Sequence, residues 1–255
     1  MNNTLRQSNV PILKRSAYCF QPDVSESKKA ANRTSDYSAI RKILPPGAVG
    51  VENFGTLHGD LLREEEELLG HAVPKRIGEF AAGRTCARRA LELLGFPVHP
   101  IGRGPDREPI WPVGIVGSIT HCEGYCAAAL ARATEISSIG IDAEPNEPLA
   151  GDVLKMIGRD EEMDTFNAQF SGHEINWGKL LFSAKESFYK AWFPIAKIWL
   201  DFKEVKISPH LQSGDFGIDV CRTNRIDDTG TFGLKFGGQF ALHDGLLLTS
   251  VFSKR

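Results

Sequence analysis

Long apolar runs are missing from this 255-residue chain: nowhere do eighteen apolar residues follow one another, which excludes a membrane-spanning helix. An excess of charge of one sign is missing too, since Lys+Arg 30 against Asp+Glu 32 leave a formal net charge of −2. A protein that grips nucleic acid over a broad surface is far more basic, so that partner class is not expected. Cysteine is scarce and odd in number: Cys19, Cys86, Cys122, Cys126 and Cys221, with no C-x-x-C pair. That argues against a disulfide framework and for reduced thiols in the cytoplasm. His121, Cys122 and Cys126 lie close together, but their spacing is wrong for zinc and a partner pair is absent. No G-x-x-x-x-G-K-[ST] loop, no helix-opening G-x-G-x-x-G and no G-x-S-x-G elbow occurs, so phosphate loop, dinucleotide fold and hydrolase elbow are unsupported.

What is there is an ordinary globular composition, 42% hydrophobic and 24% charged, at a length suited to one large domain or two small halves. Residues 1–42 read differently, as a basic, Ser-containing stretch with Arg6, Lys14, Arg15, Lys28, Lys29, Arg33, Arg41 and Lys42 and no sustained apolar period. They suggest a flexible extension, or a weak transit peptide without its amphipathic arginine helix. The acidic run Arg63-Glu64-Glu65-Glu66-Glu67 reads as the first turn of a helix, where carboxylates face the positive end of the dipole. A second helix is expected from about Pro74 to Leu94, with Ala87, Leu91 and Leu94 as its buried stripe and Gly95 as its stop. Strands are expected on either side of a turn near Glu123-Gly124, and from Ser137 to Ile141, ending at Asp142. A third helix should run from Trp177 to about Trp192, with Pro194 ending it. Strands at 205–207, 216–220, 233–242 and 246–252 complete the pattern. A cationic helix followed by strands in each half hints at a duplicated α+β unit.

Charge is segregated within the neutral total. Residues 75–107 hold seven cations against three acids, and residues 142–164 hold eight acids against two cations. Two solvated faces would explain this; so would a site holding an anion on one side and a cation on the other. In Gly140-Ile-Asp-Ala-Glu144, Asp142 and Glu144 point to one side of an extended chain, the making of a hard-cation site, though D-x-E alone is a weak signal. Glu186 and Lys190 lie one helical turn apart among Phe182, Phe188, Tyr189, Trp192 and Phe193. They read either as a surface i,i+4 pair or as base and phosphate ligand, with Lys185 as a second phosphate ligand. Thr120 and His121 at a turn are structural, or hold a phosphate monoester.

In order along residues 43–210, the motifs are Lys75-Arg-Ile-Gly-Glu-Phe80, Gly83-Arg-Thr-Cys-Ala-Arg88, Trp111-Pro, Gly117-Ser-Ile-Thr-His121, Gly140-Ile-Asp-Ala-Glu144 and Phe182-Ser-Ala-Lys-Glu-Ser-Phe-Tyr-Lys190. Together they resemble the 4′-phosphopantetheinyl transferases, in the monomeric surfactin- and enterobactin-type branch. The resemblance implies an α+β fold of two pseudo-symmetric α/β halves with the active site between them: residues 43–141 for the nucleotide end of coenzyme A, residues 142–255 for the metal and the catalytic helix. It implies transfer of the phosphopantetheine arm of coenzyme A to a serine of an acyl, peptidyl or aryl carrier protein, releasing adenosine 3′,5′-bisphosphate. By the same resemblance Asp142, Glu144 and Glu186 bind Mg²⁺, and Glu186 takes the serine proton. Lys185 and Lys190 meet the diphosphate, Thr120 and His121 the 3′-phosphate, and Arg76 and Arg84 the nucleotide end. Arg107, Glu108 and Pro109 lie near the adenine. A basic and apolar patch at Arg88 and Arg89, or at Met156 and Ile157, is the expected carrier surface; no nucleic acid, membrane or second copy of the chain is expected. The rival readings are a catalytically silent binding module for coenzyme A and carrier proteins, and a Mg²⁺-dependent nucleotide-diphosphate hydrolase.

Overall fold

A computed structural model describes residues 38–221 and 235–255; the expected extension up to residue 37, and the first two residues of the strand expected at 233, lie outside the described residues. The packed chain starts ahead of residue 43. Ala39 and Ile40 are buried, and their backbone N–H groups donate to the Glu52 carboxylate at 2.6 and 3.1 Å. The phenol of Tyr125 donates to the same carboxylate at 2.8 Å.

Two antiparallel sheets carry the fold. The first has the order β1-β5-β4, formed by β1 (Ala48–Phe54), β4 (Ile115–Cys122) and β5 (Tyr125–Arg132). The second has the order β6-β10-β9-β8-β7, formed by β6 (Ile136–Pro145), β7 (Val205–His210), β8 (Asp215–Val220), β9 (Phe236–His243) and β10 (Leu246–Lys254). A two-stranded hairpin, β2 (Gly102–Arg103) with β3 (Pro109–Ile110), stands apart from both. Strand β5 is buried from Tyr125 to Ala131, and its run of Cys, Ala and Leu side chains lets covering layers approach closely. Strand β6 lies along β4 through side chains: Ile141 N–H donates to Ser118 Oγ at 3.1 Å and Ala143 N–H to Thr120 Oγ1 at 3.2 Å.

The helices are α1 (Arg63–Glu66), α2 (Pro74–Leu93), α3 (Gly151–Ile157), α4 (Asp160–Phe170) and α5 (Trp177–Ala196). Helix α2 starts with proline in its first turn, where the missing N–H costs nothing, and stops before Gly95, whose φ of +78° suits a left-handed cap. It packs on the first sheet through Cys86, Ala87, Ala90 and Leu91. Helix α5 packs on the second through Leu181, Ala184, Phe188, Ala191 and Trp192.

Three expectations are corrected here. Helix α5 runs past Pro194 to Ala196, because a proline in the last turn removes one hydrogen bond without breaking the preceding ladder; it ends at Lys197, in the left-handed region at φ 51°. Strand β6 continues to Pro145, so Asp142 and Glu144 sit within it rather than past its end. The acidic run at 63–67 yields only a single helical turn, and Glu65 points inward, fully buried.

Candidate active site

Helix α5 rides directly on β6. A Cβ added at Gly140 would strike the Ser187 carbonyl and lie 2.6 Å from Ala191 N, so only glycine admits this approach. Across the contact, Lys179, Ser183, Glu186 and Lys190 follow one another at spacings of four, three and four, forming one row of the helix. Asp142 on β6 is 5% exposed. Its Oδ1 accepts from Lys190 Nζ at 2.7 Å and Thr120 Oγ1 at 3.2 Å, and its Oδ2 from Ser183 Oγ at 2.8 Å. Thr249 Oγ1 lies 2.9 Å from the Ser183 hydroxyl, extending the buried polar chain into β10. Glu144, on the same side of β6, accepts from Lys179 Nζ at 3.3 Å.

Lysine ammoniums thus stand on both acids of β6. Among the described residues no three His, Cys, Asp or Glu side chains are drawn together closely enough to hold a metal ion. The donor chemistry still fits a hard divalent cation, since the row offers carboxylate oxygens from two facing elements and neither sulfur nor imidazole.

Lys185 departs from its expected role at a diphosphate. Its ammonium is buried and bonded to Glu162 Oε2 at 2.7 Å, Phe202 O at 2.8 Å and Ile157 O at 2.9 Å. Glu162 in turn accepts from the N–H groups of Ile207 and Arg159 at 2.6 and 2.9 Å. An ammonium enclosed this way has no donor to present to an anion; it ties α3, α4 and the turn ahead of β7 to α5. Burial pulls the Lys185 pKa down, with Glu162 opposing. Thr120 is also engaged inward, bonded to Asp142 and Ala143 in strand β4 rather than displayed at a turn.

Between α2 and the β2–β3 hairpin, cations gather around a cavity of about 630 Å³ lined by Arg76, Phe80, Arg84, Arg103, Gly104 and Arg107 among others. Arg84 is fixed by donating to the carbonyls of Ile101 and Gly102 at 2.9 and 3.2 Å, and its guanidinium stacks 4.2 Å from the Phe80 ring centre. Burial pulls its pKa down to about 10, which leaves it charged at neutral pH. His121 Nε2 lies 3.2 Å from Arg76 Nη1 and 3.2 Å from Glu79 Oε2. Arg107 occupies the hairpin turn at φ 69°. Glu108 folds back: its carboxylate accepts from Asp106 N–H at 3.0 Å and from Lys197 Nζ at 2.9 Å, occupying space that any side chain at Gly104 would fill. Pro109 sits in β3 opposite Arg103. Glu79 and Arg103 were not among the expected site residues; the sequence signals for them are the motif Lys75–Phe80, which contains Glu79, and the density of charge over residues 75–107.

A second cavity, about 270 Å³ and largely apolar, is lined by Lys185, Glu186, Phe188, Tyr189, Trp199, Leu200, Asp201, Phe202 and Val205. Tyr189, Phe193 and Trp199 form an aromatic trio with ring centres 5.0 to 5.4 Å apart. Sequence reasoning missed this wall because Trp199 and Phe202 lie in an irregular connection with no period to read. Each expected carrier patch keeps one exposed residue, Arg89 and Met156, while Arg88 is buried in an ion pair with Glu65 and Ile157 in the core.

An arginine-lined cavity, a carboxylate–lysine row and an apolar cavity sharing Glu186 with that row would suit an enzyme whose long ligand has charged and greasy ends. Residues 64–131 match the family model described as the 4′-phosphopantetheinyl transferase N-terminal domain, and residues 138–227 the 4′-phosphopantetheinyl transferase superfamily. The chain is 39% identical over 223 residues to 4′-phosphopantetheinyl transferase Svp of Streptomyces mobaraensis, covering 83% of this chain and 88% of that protein. It is 40% identical over 221 residues to 4′-phosphopantetheinyl transferase Npt of Nocardia iowensis, covering 83% and 98%. To 4′-phosphopantetheinyl transferase PptT of Mycobacterium tuberculosis it is 40% identical over 194 residues, covering 74% and 85%. The chain belongs to the 4′-phosphopantetheinyl transferase family. It is a transferase that converts apo carrier proteins to their holo form. No described helix is long and apolar enough to cross a membrane.

Proposed function

We propose that this transferase works with Mg²⁺ and that coenzyme A spans the two cavities, its nucleotide end among the arginines and its arm in the apolar cavity. The observation that carries this reading is the position of Glu186, which lines the apolar cavity and belongs to the helical row whose Lys190 is bonded to Asp142. The phosphate joining the two ends of coenzyme A then falls at this row. Arg76, Arg84, Arg103 and Arg107 attract the anionic end, with His121 at the 3′-phosphate and the Arg107-Glu108-Pro109 turn beside the adenine. Thr120 serves by orienting Asp142 and Lys190.

The carrier serine attacks the phosphorus that bears the arm. A bond forms from serine Oγ to phosphorus, the phosphorus–oxygen bond to adenosine 3′,5′-bisphosphate breaks, and Glu186 takes the serine proton. Lys190, held by Asp142, the Ile141 carbonyl and more loosely by Thr120 Oγ1 at 3.5 Å, stays partly exposed and sets its positive charge beside the phosphate oxygens. Asp142, Glu144 and Glu186 would hold the Mg²⁺, which when bound neutralises diphosphate charge. Residues 43–141 and 142–255 act as the nucleotide half and the catalytic half. The enzyme works as a monomer in the cytoplasm, where coenzyme A and reduced thiols are kept, and the exposed Met156 with Lys155 on α3 contributes to the carrier surface.

Replacing Glu186 by Gln tests the base. Transfer should slow by about 10²- to 10⁴-fold while coenzyme A still binds. Transfer at the wild-type rate would remove Glu186 from that role.

A further inference from the structure

Helix α5 begins with a cation where helices favour an acid. Asn176 caps it by accepting from the Lys179 N–H at 3.0 Å, and no acid lies in the first turn. The positive end of the helix dipole disfavours an ammonium there, so Lys179 needs a counter-charge. Glu144 supplies it: the ammonium stands 3.3 Å from the carboxylate, and the two side chains are only 14% and 16% exposed. The fold builds this approach. Asn146, just past the end of β6, accepts from the Asn176 N–H at 2.8 Å and donates to the Glu174 carbonyl at 2.8 Å, clamping β6 to the start of α5.

An ammonium on a carboxylate takes up acceptor positions that a divalent cation would use and adds a positive charge beside it. Lys190 meets Asp142 in the same manner, but it is also held by the Ile141 carbonyl. The Lys179 ammonium bonds, among the described residues, to Glu144 alone. Resting on the reading that Asp142, Glu144 and Glu186 hold a divalent cation, we propose that Lys179 is a tethered competitor for that cation, neutralising Glu144 in the free enzyme so that metal binds tightly only together with the coenzyme A diphosphate. The diphosphate reverses the balance, because its negative charge offsets the ammonium and its oxygens suit a hard cation. Metal and coenzyme A then bind cooperatively, each raising the affinity of the other by the same factor.

The test titrates the full-length chain with Mn²⁺, a hard divalent cation whose free concentration is read by electron paramagnetic resonance. Titrations are run with and without coenzyme A, with coenzyme A alone as the blank. In Lys179→Met the free enzyme should bind Mn²⁺ about tenfold more tightly, since a positive charge beside the site is gone, and the gain should shrink when coenzyme A is present. Lys179→Gln, neutral but still able to donate to Glu144, should shift in the same direction, and Lys179→Arg should bind as weakly as wild type. Unchanged or weaker Mn²⁺ binding in both neutral variants, or an equal gain in Lys179→Arg, would overturn the proposal. So would a gain that survives Glu144→Gln in the Lys179→Met background. Wild-type enzyme that binds no Mn²⁺ even with coenzyme A would instead overturn the reading of the three acids as a metal site.

Discussion

Lys185 and Lys190 are five residues apart on one helix and carry the same charge, yet their surroundings give them opposite work. Lys190 is partly exposed and faces Asp142; Lys185 is enclosed by Glu162 and two carbonyls. Breaking a buried pair leaves its partner's charge uncompensated, at a cost of about 3–5 kcal/mol. Lys185→Met should therefore lower the melting temperature sharply and leave the affinity for adenosine 3′,5′-bisphosphate unchanged, read by circular dichroism and calorimetry. A phosphate ligand would behave the other way round, losing affinity with little change in melting. At this scale the sequence marked charged side chains but not which way they point. Asp142 and Glu144 share one side of β6, as the D-x-E spacing implies, and there meet Lys190 and Lys179 respectively. Glu65, in a run read as the first turn of a helix, and Glu162, in a run that a solvated face would explain, turn inward because each finds an Arg or Lys and backbone N–H groups there.

Elements bring these side chains together through close approach and short latches. Gly140 is one such point, since β6 touches the backbone of α5 there. Gly140→Ala forces the helix outward, away from Asp142; overpacking of this kind costs about 1–3 kcal/mol or more. The variant should melt earlier and transfer at least about tenfold more slowly, because misplacement of about an ångström has effects of that size. The β2–β3 hairpin is latched to the end of α5 by Glu108 and Lys197. Hydrogen bonding from Lys197 holds the Glu108 carboxyl below its ordinary 4.5. A carboxyl whose pKa is lowered by folding contributes stability above its unfolded value, and loses it as the pH falls through the lowered pKa. The melting difference between wild type and Glu108→Gln should accordingly be largest at neutral pH and vanish once the pH has fallen below the lowered pKa, and it stays small, since exposed pairs contribute at most about 1 kcal/mol. Long helices were legible from apolar spacing and from Pro74 and Gly95. The hairpin was not, because two-residue strands hold no period, and β1 was missed because none of its side chains is fully buried and no alternation results.

The whole molecule sets two antiparallel sheets, each backed by a twenty-residue helix, so that β4 and β6 lie side by side. The segregated charge of the sequence becomes geometry here: arginines of α2 and the hairpin around one cavity, acids of β6 against α5. The apolar cavity had no counterpart in the composition, since it is assembled from α5 and the irregular chain after it. The measurement that bears most directly on this arrangement is intact-mass spectrometry of an apo carrier protein incubated with coenzyme A, Mg²⁺ and the enzyme, with EDTA and Glu186→Gln as parallel arms. The account predicts one added phosphopantetheine per carrier, abolished by EDTA and nearly abolished by the substitution. Full modification in the presence of EDTA, or by Glu186→Gln, would contradict it.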